Sequence, residues 1–328
     1  MTVVVAVCVA GCSSGSRTAI TTTPPPVAQT VLEPSPSTMP SSVTRARASG
    51  LAPEPVDSTV DGLAVRTLAG DPLSSPIDLV LAFGSVWVAN HRGATVTRVD
   101  PETMTVQATI RTGQGPGWFV VTDDAVWVSN QMGVGMTRID PGTNATSDVG
   151  DWPPCGRGVF AFRAIWQPAC DMGLVMRIDP TSLTATNVTS DQRSVLRLGS
   201  TLLSGGPAGL ARLDPKANSF APIGGADPGW LMAFDGRTIW TSDERKVSRI
   251  DPADGTVVAM LAIAEAGAVA FRDGRVWVTS RSGLVEIDPR TTEIVRTIPV
   301  GPTLSVINDG GGLWVTSFDG NGLIRIRM

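Results

Sequence analysis

A short apolar segment with a central tryptophan recurs along the chain and dominates its hydrophobic pattern. It reads SVWVAN at 85–90 and returns as AVWVSN, AIWQPA, TIWTSD, RVWVTS and GLWVTS, with TLLSGG at 201–206 as a weaker copy. The key positions are Trp87, Trp127, Trp166, Leu203, Trp240, Trp277 and Trp314. Their spacing of 37 to 40 residues is typical of a protein built from repeated small units.

A second marker, an apolar residue followed by Asp-Pro, keeps step with the first. Its aspartates are Asp100, Asp140, Asp179, Asp214, Asp251 and Asp288. Asp-Pro favours a turn, because proline presets φ and the carboxylate accepts hydrogen bonds from turn amides. Arginines stand two residues before five of these aspartates, and we expect each to pair with its aspartate: Arg98, Arg138, Arg177, Arg212 and Arg249.

The alternation of apolar segments and turn residues predicts four short strands in each unit. In the second unit the pattern places them at about 118–122, 125–129, 136–139 and 145–149, with turn residues between them. The tryptophan-bearing second strand is apolar on both faces, which indicates a sheet that is stacked between two like sheets.

Seven such units predict an all-β fold, a seven-bladed β-propeller of four-stranded antiparallel blades. The last unit ends one strand short, whereas GLAVRTL at 62–68 is strand-like and has no unit of its own. We expect this N-terminal strand to pair with the last blade and close the ring. Burying each indole between blades would contribute about 4–6 kcal/mol before entropy is counted.

The net charge of the chain bears on which classes of partner it can bind. The chain has 328 residues and a net charge of −4, so nothing indicates nucleic-acid binding. We expect the protein to be a monomer.

The N-terminus predicts export. The apolar run at 1–12 ends in VAGC, which resembles the lipobox of bacterial lipoproteins and makes Cys12 the lipidated residue. A conventional signal peptide, or a start upstream of Met1, is the alternative. Residues 13–57 are rich in Ser, Thr and Pro and predict a disordered tether, with the propeller at 58–328. The predicted location is the outer face of the cell membrane, reached only through the lipid anchor.

Export also bears on the cysteines. Cys155 precedes the first strand of the third unit and Cys170 follows its second strand, so both lie at the same end of a hairpin. We expect a disulfide, which an exported compartment permits.

Polar residues that vary between blades concentrate in the loops that enter strand one or leave strand two. Propellers bind ligands on this channel face, so the loops are the candidate site for a small molecule, a glycan or an envelope protein. The candidate ligand-binding residues are His91, Arg92, Trp118, Asn130, Gln131, Arg157, Trp230, Asp243, Glu244, Arg281 and Asp319.

Residues 75–328 resemble the YVTN-type and virginiamycin B lyase-like propellers, which share the WVxN and RIDPxT pattern. The lyase resemblance implies a magnesium-dependent elimination that uses histidines late in the chain, but His91 is the only histidine. No catalytic residue is therefore carried over, and no cofactor is assigned. The alternative to a binding protein is a lyase or lactonase-like hydrolase that uses a divalent cation held by Asp243, Glu244 or Asp319, with His91 as base.

Metabolic labelling tests the anchor. Cells fed a radiolabelled fatty acid should label the wild-type protein and leave Cys12→Ala unlabelled, because only a cysteine in this position would receive the lipid. Equal labelling of both proteins would reject the lipobox.

Overall fold

The computed structural model describes residues 53–190 and 192–328, where the regular structure is almost entirely β. The described residues belong to one compact unit. Cys12, the signal segment and all but the last residues of the tether lie outside the described residues. No helix in the described part of the chain has the length and apolar character needed to cross a membrane.

The strands fall into seven groups in chain order, after an N-terminal pair, β1 (Val56–Val60) and β2 (Leu63–Ala69). Blade 1 contains β3 (Pro76–Ala82), β4 (Ser85–Asn90), β5 (Thr95–Val99) and β6 (Val106–Arg111). Blade 2 contains β7 (Pro116–Val121), β8 (Val126–Asn130), β9 (Met136–Ile139) and β10 (Thr146–Val149). Blade 3 contains β11 (Val159–Ala161), β12 (Ala164–Ala169), a short 3-10 helix (Cys170–Met172), β13 (Leu174–Ile178) and β14 (Ala185–Thr189).

The remaining blades repeat this plan. Blade 4 contains β15 (Ser194–Leu198), β16 (Thr201–Gly206), β17 (Gly209–Asp214) and β18 (Ser219–Gly224). Blade 5 contains β19 (Leu231–Phe234), β20 (Ile239–Ser242), β21 (Lys246–Ile250) and β22 (Val257–Ala262). Blade 6 contains β23 (Val269–Arg272), β24 (Arg275–Ser280), β25 (Gly283–Asp288) and β26 (Glu293–Ile298), and blade 7 contains β27 (Val306–Asn308), β28 (Gly312–Ser317) and β29 (Gly322–Arg327).

The ring is closed as the sequence predicts. β2 pairs antiparallel with β29, with Thr67 opposite Ile324, and so completes blade 7. The first strands of successive blades contact one another all round the ring, including those of blades 7 and 1. The seven-bladed, four-stranded antiparallel propeller is therefore confirmed.

Blade 7 carries one strand more than the sequence predicts. β1 pairs with β2 along its whole length and becomes a fifth, outermost strand. It begins at Val56, inside the segment predicted to be tether. Its sequence VDSTV is mostly exposed and polar, so it carries no alternating pattern, and its pairing with β2 orders it instead.

The recurring tryptophans are buried between blades. All six rings are at most 3% exposed, and Leu203 takes the same place in blade 4. The described core divides into seven clusters, and each combines one blade's key residue with apolar residues of the next blade. Trp87, for example, packs with Phe119 and Val128 of blade 2.

The repeat arginines do not pair with the turn aspartates, contrary to the sequence prediction. Arg98 lies directly opposite Trp87 across the β4–β5 ladder, and its guanidinium stacks 4.8 Å from the centre of that ring. The same group donates to the carbonyl oxygen of Pro141 in blade 2 at 2.6 Å. Strand pairing puts the arginine and the indole next to each other on one face of the sheet. The guanidinium therefore stacks on the indole ring and does not form an ion pair with the turn aspartate.

Two further arginines repeat this bridge to the next blade. Arg249 donates to the carbonyl oxygen of Pro289 in blade 6, and Arg325 donates to that of Pro101 in blade 1, each at 2.6 Å. Because blade 7 is last in the chain, the Arg325 bond is a second link across the ring closure, in addition to β2.

The turn aspartates bind their own turns. The Asp100 carboxylate accepts hydrogen bonds from the amides of Glu102 and Thr103, both at 2.9 Å. The Thr103 amide is the main cause that lowers the pKa of Asp100. The Asp-Pro marker therefore indicates a self-contained turn.

Closure by β2 can be tested at Leu68, which is fully buried against blades 7 and 1. Leu68→Ala should lower the free energy of unfolding by about 3 kcal/mol, as expected for deletion of a buried leucine side chain. Val56→Ala is the matched control, because Val56 is 65% exposed on β1. Urea unfolding measures both variants, and equal midpoints would contradict the closure.

Candidate functional site in the central channel

Corresponding positions of the seven first strands form a ring of residues around the channel. These positions lie nine residues before each key tryptophan or leucine and near the start of each first strand. They are Asp78, Trp118, Arg157, Ser194, Leu231, Ala268 and Ser305. The repeat brings them to one level, and the hydrogen bonds and ring contacts that follow join several of them.

A buried carboxylate gathers residues of four blades. Asp78 of blade 1 is 1% exposed, and its carboxylate accepts a hydrogen bond from the Ser305 hydroxyl of blade 7 at 2.6 Å. The Phe119 amide of blade 2 donates to the same carboxylate at 3.1 Å. The Arg157 guanidinium, which enters from blade 3, forms an ion pair with it. Burial of a carboxylate is costly, and these donors supply the compensation.

Arg157 combines this buried partner with an open side. Its side chain is 32% exposed, against 2% for Asp78. The guanidinium lies 5.2 Å from the ring centre of Trp118, a cation–π distance. Its Nε is buried and has no hydrogen-bond partner in the described residues. The exposed part of the guanidinium, not this buried Nε, is therefore what can donate to a ligand while the pair with Asp78 stays intact.

The loop that carries Arg157 is held from several sides. The predicted disulfide between Cys155 and Cys170 is confirmed, with 5.8 Å between their Cα atoms. The Gln167 side-chain amide donates to the carbonyl oxygens of Cys155 at 2.8 Å and Gly156 at 3.2 Å. Gly156 has φ +56°, and an added Cβ would lie 2.2 Å from the carbonyl oxygen of Arg193, so only glycine fits.

Other predicted residues occupy the rim of the same face. His91 Nδ1 lies 3.4 Å from the carbonyl oxygen of Pro116, and the guanidinium of Arg92 lies 5.4 Å from the ring centre of Phe318. Trp230 is 39% exposed, and the Arg193 guanidinium lies 5.2 Å from its ring centre.

Three arginine–aromatic pairs on this face therefore cross a boundary between neighbouring blades. The pairs join blades 3 and 2, blades 4 and 5, and blades 1 and 7, in the order Arg157–Trp118, Arg193–Trp230 and Arg92–Phe318. The rim thus carries cations and aromatic rings together, a combination that suits ligands with both acceptor oxygens and a flat face.

Two predicted residues have structural contacts. Asn130 is buried, donates to the carbonyl oxygen of Val134 at 3.2 Å and accepts from the Thr137 hydroxyl at 3.2 Å. Gln131 packs against Gly117, where an added Cβ would lie 2.5 Å from its Cδ. Both therefore shape the turn after β8.

The charged residues of blades 5, 6 and 7 do not converge on His91. Asp243 accepts from the Lys246 amide at 3.1 Å and lies 3.4 Å from Lys246 Nζ. Arg281 is paired with Glu265. Glu244 and Asp319 are exposed. Within residues 53–190 and 192–328, no three His, Cys, Asp or Glu side chains form a group that could share a metal ion.

Sequence reasoning missed Asp78 and Ser305. Both lie in apolar or small-residue surroundings and read as strand residues. Their position in the repeat could have identified them, because they lie nine residues before their key tryptophans, as Trp118 and Arg157 do.

A double-mutant cycle tests the channel pair. Arg157→Gln should lower the free energy of unfolding by about 3 kcal/mol, because it leaves the Asp78 carboxylate buried without its cation. Adding Asp78→Asn should recover part of this loss, since the two partners are coupled. Arg92→Gln, at an exposed site, should change stability by less than about 0.5 kcal/mol. Additive effects in urea unfolding would show that the pair does not interact.

No protein-family model and no curated protein matches this chain. Solved structures do match. A streptogramin B lyase structure has a TM-score of 0.65 at 13% identity and covers 81% of this chain and 97% of that one. The Kuenenia stuttgartiensis hydrazine synthase has 0.64 at 16%, covering 80% and 97%. The Cps50 (Swd1) β-propeller domain of Myceliophteria thermophila has 0.67 at 12%, covering 84% and 99%. These identities establish the fold alone: the chain has the seven-bladed β-propeller fold that streptogramin B lyase also shows.

Proposed function

We propose that this protein is an exported binding or scaffold protein of the cell envelope, anchored through lipid on Cys12. Its ligand, a small molecule, a glycan or a partner protein, binds on the channel face around Arg157 and Trp118. The tethered propeller would hold this face away from the membrane surface.

The observation that carries the proposal is the partly exposed Arg157 side chain, whose guanidinium is paired with buried Asp78 and lies near the Trp118 ring. A guanidinium with free N–H groups binds carboxylates and other acceptors, and an indole offers a flat apolar face. The disulfide and the Gln167 hydrogen bonds hold the loop in place, so less freedom is lost when a ligand binds. We infer a ligand with an acidic or acceptor group next to a ring.

Binding is favoured over catalysis by the donor set. His91, Asp243, Glu244 and Asp319 were the groups on which a metal-dependent lyase or hydrolase would have relied, and they are not assembled in the described residues. The channel pair itself offers hydrogen-bond donors and a stacking surface, and these suit recognition.

Export is supported by two features of different kinds. The VAGC sequence at 9–12 resembles a lipobox. The Cys155–Cys170 disulfide is of the kind that persists in oxidising compartments outside the cytoplasm.

Thermal-shift measurements with N-acetylmuramic acid, N-acetylglucosamine and citrate test the site. The first probe carries a ring and a carboxylate, and the other two carry one feature each. Wild-type protein should be stabilised most by the first probe, since a ligand at 100 times its dissociation constant adds about 2.7 kcal/mol. Trp118→Ala should abolish the shift.

The control is Phe83→Ala, which removes an aromatic ring that is 39% exposed in the turn between β3 and β4, away from the channel-face loops. Its shift should equal that of the wild type. No shift with any probe, or equal shifts in both variants, would contradict binding at Arg157 and Trp118.

A further inference from the structure

A cleft on the face of the ring opposite the channel-face loops is lined by more arginines than aspartates. It has a volume of about 700 Å³ and lies among the turns at the far ends of blades 5, 6 and 7. Its lining includes two aspartates, Asp235 and Asp273, and five arginines: Arg237, Arg249, Arg272, Arg275 and Arg290. The chain as a whole carries a net charge of −4, so the cleft opposes the overall sign.

A second groove shows what the repeat alone produces at this place. Between blades 3 and 4, the groove is lined by Phe162, Trp166, Arg177, Pro215 and Asn218 and has about 210 Å³. Arg177 and Pro215 correspond in the repeat to Arg249 and Pro289 of the larger cleft. Arg163 and Lys216, in the turns beside the small groove, correspond in the repeat to Arg237 and Arg290. Arg272, Arg275 and the greater volume are therefore what is particular to the larger cleft.

Two of the five arginines are neutralised locally. Arg275 forms ion pairs with Asp288 and Glu286. Arg272 Nε lies 3.1 Å from Asp273 Oδ2.

The other three have no carboxylate within ion-pair distance in the described residues. Arg249 stacks 5.6 Å from the ring centre of Trp240 and donates to neutral groups. Arg237 and Arg290 are exposed, and their guanidiniums make no ion pair or side-chain hydrogen bond within residues 53–190 and 192–328. Arg290 lies near enough to Asp288 to contribute to the lowered pKa of that carboxyl, after the hydrogen bonds from its own amide and from Arg275.

Asp235 does not cancel these charges by pairing. Its carboxylate accepts hydrogen bonds from the Thr238 amide at 2.6 Å and from the Trp240 indole at 2.7 Å. It therefore faces its own turn, and the guanidiniums of Arg237 and Arg290 remain available.

We propose that this cleft between blades 5 and 6 is a second binding site, specific for a multiply charged phosphate-bearing anion. Guanidiniums bind phosphate oxygens in a bidentate fashion, and the volume is that of a small-molecule site. The site lies on the face opposite the channel mouth and is independent of the function proposed there. The phosphate could belong to a soluble molecule or to a lipid headgroup, and the two sources separate experimentally.

Calorimetry with inorganic tripolyphosphate tests the site on the complete 50–328 unit. Arg237→Ser/Arg290→Ser should weaken binding at least about tenfold, because two charge-assisted contacts are lost. The matched control is Arg163→Ser/Lys216→Ser, which removes two cations from the corresponding turns of blades 3 and 4 and should leave affinity unchanged. Arg237→Lys/Arg290→Lys should fold in any case and retain only part of the affinity, since lysine cannot form the bidentate contact.

Cosedimentation with vesicles that contain phosphatidylglycerol, compared with vesicles of pure phosphatidylcholine, shows whether the phosphate belongs to a lipid headgroup or to a soluble molecule. Vesicle binding that requires Arg237 and Arg290 supports a headgroup ligand, and tripolyphosphate binding without vesicle binding supports a soluble one. Failure of both probes to bind the wild type, or equal losses in the Ser pair and its control, would overturn the proposal.

Discussion

The contact between an indole of one blade and the apolar face of the next supports the whole ring. Each key residue is buried in a cluster that belongs to two blades, so no blade forms a complete core alone. Arginine reinforces this contact in several blades: it covers the ring, and in three of them it bonds a proline carbonyl of the neighbour. Apolar burial and a directional hydrogen bond thus act at the same boundary, and together they set the spacing of the blades.

The blades that depart from this arrangement show how far it can vary. In blade 4, Leu203 replaces the tryptophan, and its cluster with blade 5 is smaller. In blade 6, Glu286 stands opposite Trp277 where other blades have arginine, and Arg296 of the outer strand stacks on the ring instead. Glu286 is buried and forms ion pairs with Arg296 and Arg275. Arg275 also lines the basic cleft. The replacement of arginine by glutamate opposite Trp277 is therefore linked, through the Glu286–Arg275 ion pair, to the basic cleft beside blade 6.

The two faces of the ring differ in how they hold charge. On the channel face, Arg157 meets a buried carboxylate and an indole, and a disulfide holds its loop, so the cation is fixed in one place. On the opposite face, arginines from several turns share a wide cleft, and Arg237 and Arg290 point from exposed turns. The first arrangement suits selective recognition of a single group, and the second suits attraction of a multiply charged ligand.

The sequence by itself determined the fold, the number of blades, the closing strand and the disulfide. The fold and the number of blades follow from a local pattern repeated along the chain, since burial of a strand on both faces and turn chemistry depend on neighbouring residues. The closing strand and the disulfide follow from where single segments fall relative to that repeat. The pairing of Arg157 with Asp78 and Ser305, the stacking of Arg98 on Trp87 and the basic cleft were decided only by the tertiary structure. Arg157 is 79 residues from Asp78 and 148 from Ser305, so closure of the ring determines that they meet. Arg98 meets Trp87 across two neighbouring strands, and the strand register decides that contact. The sequence identified Trp118 and Arg157 as candidates because they precede strand one outside the tryptophan series, but it could not show that a buried carboxylate holds Arg157.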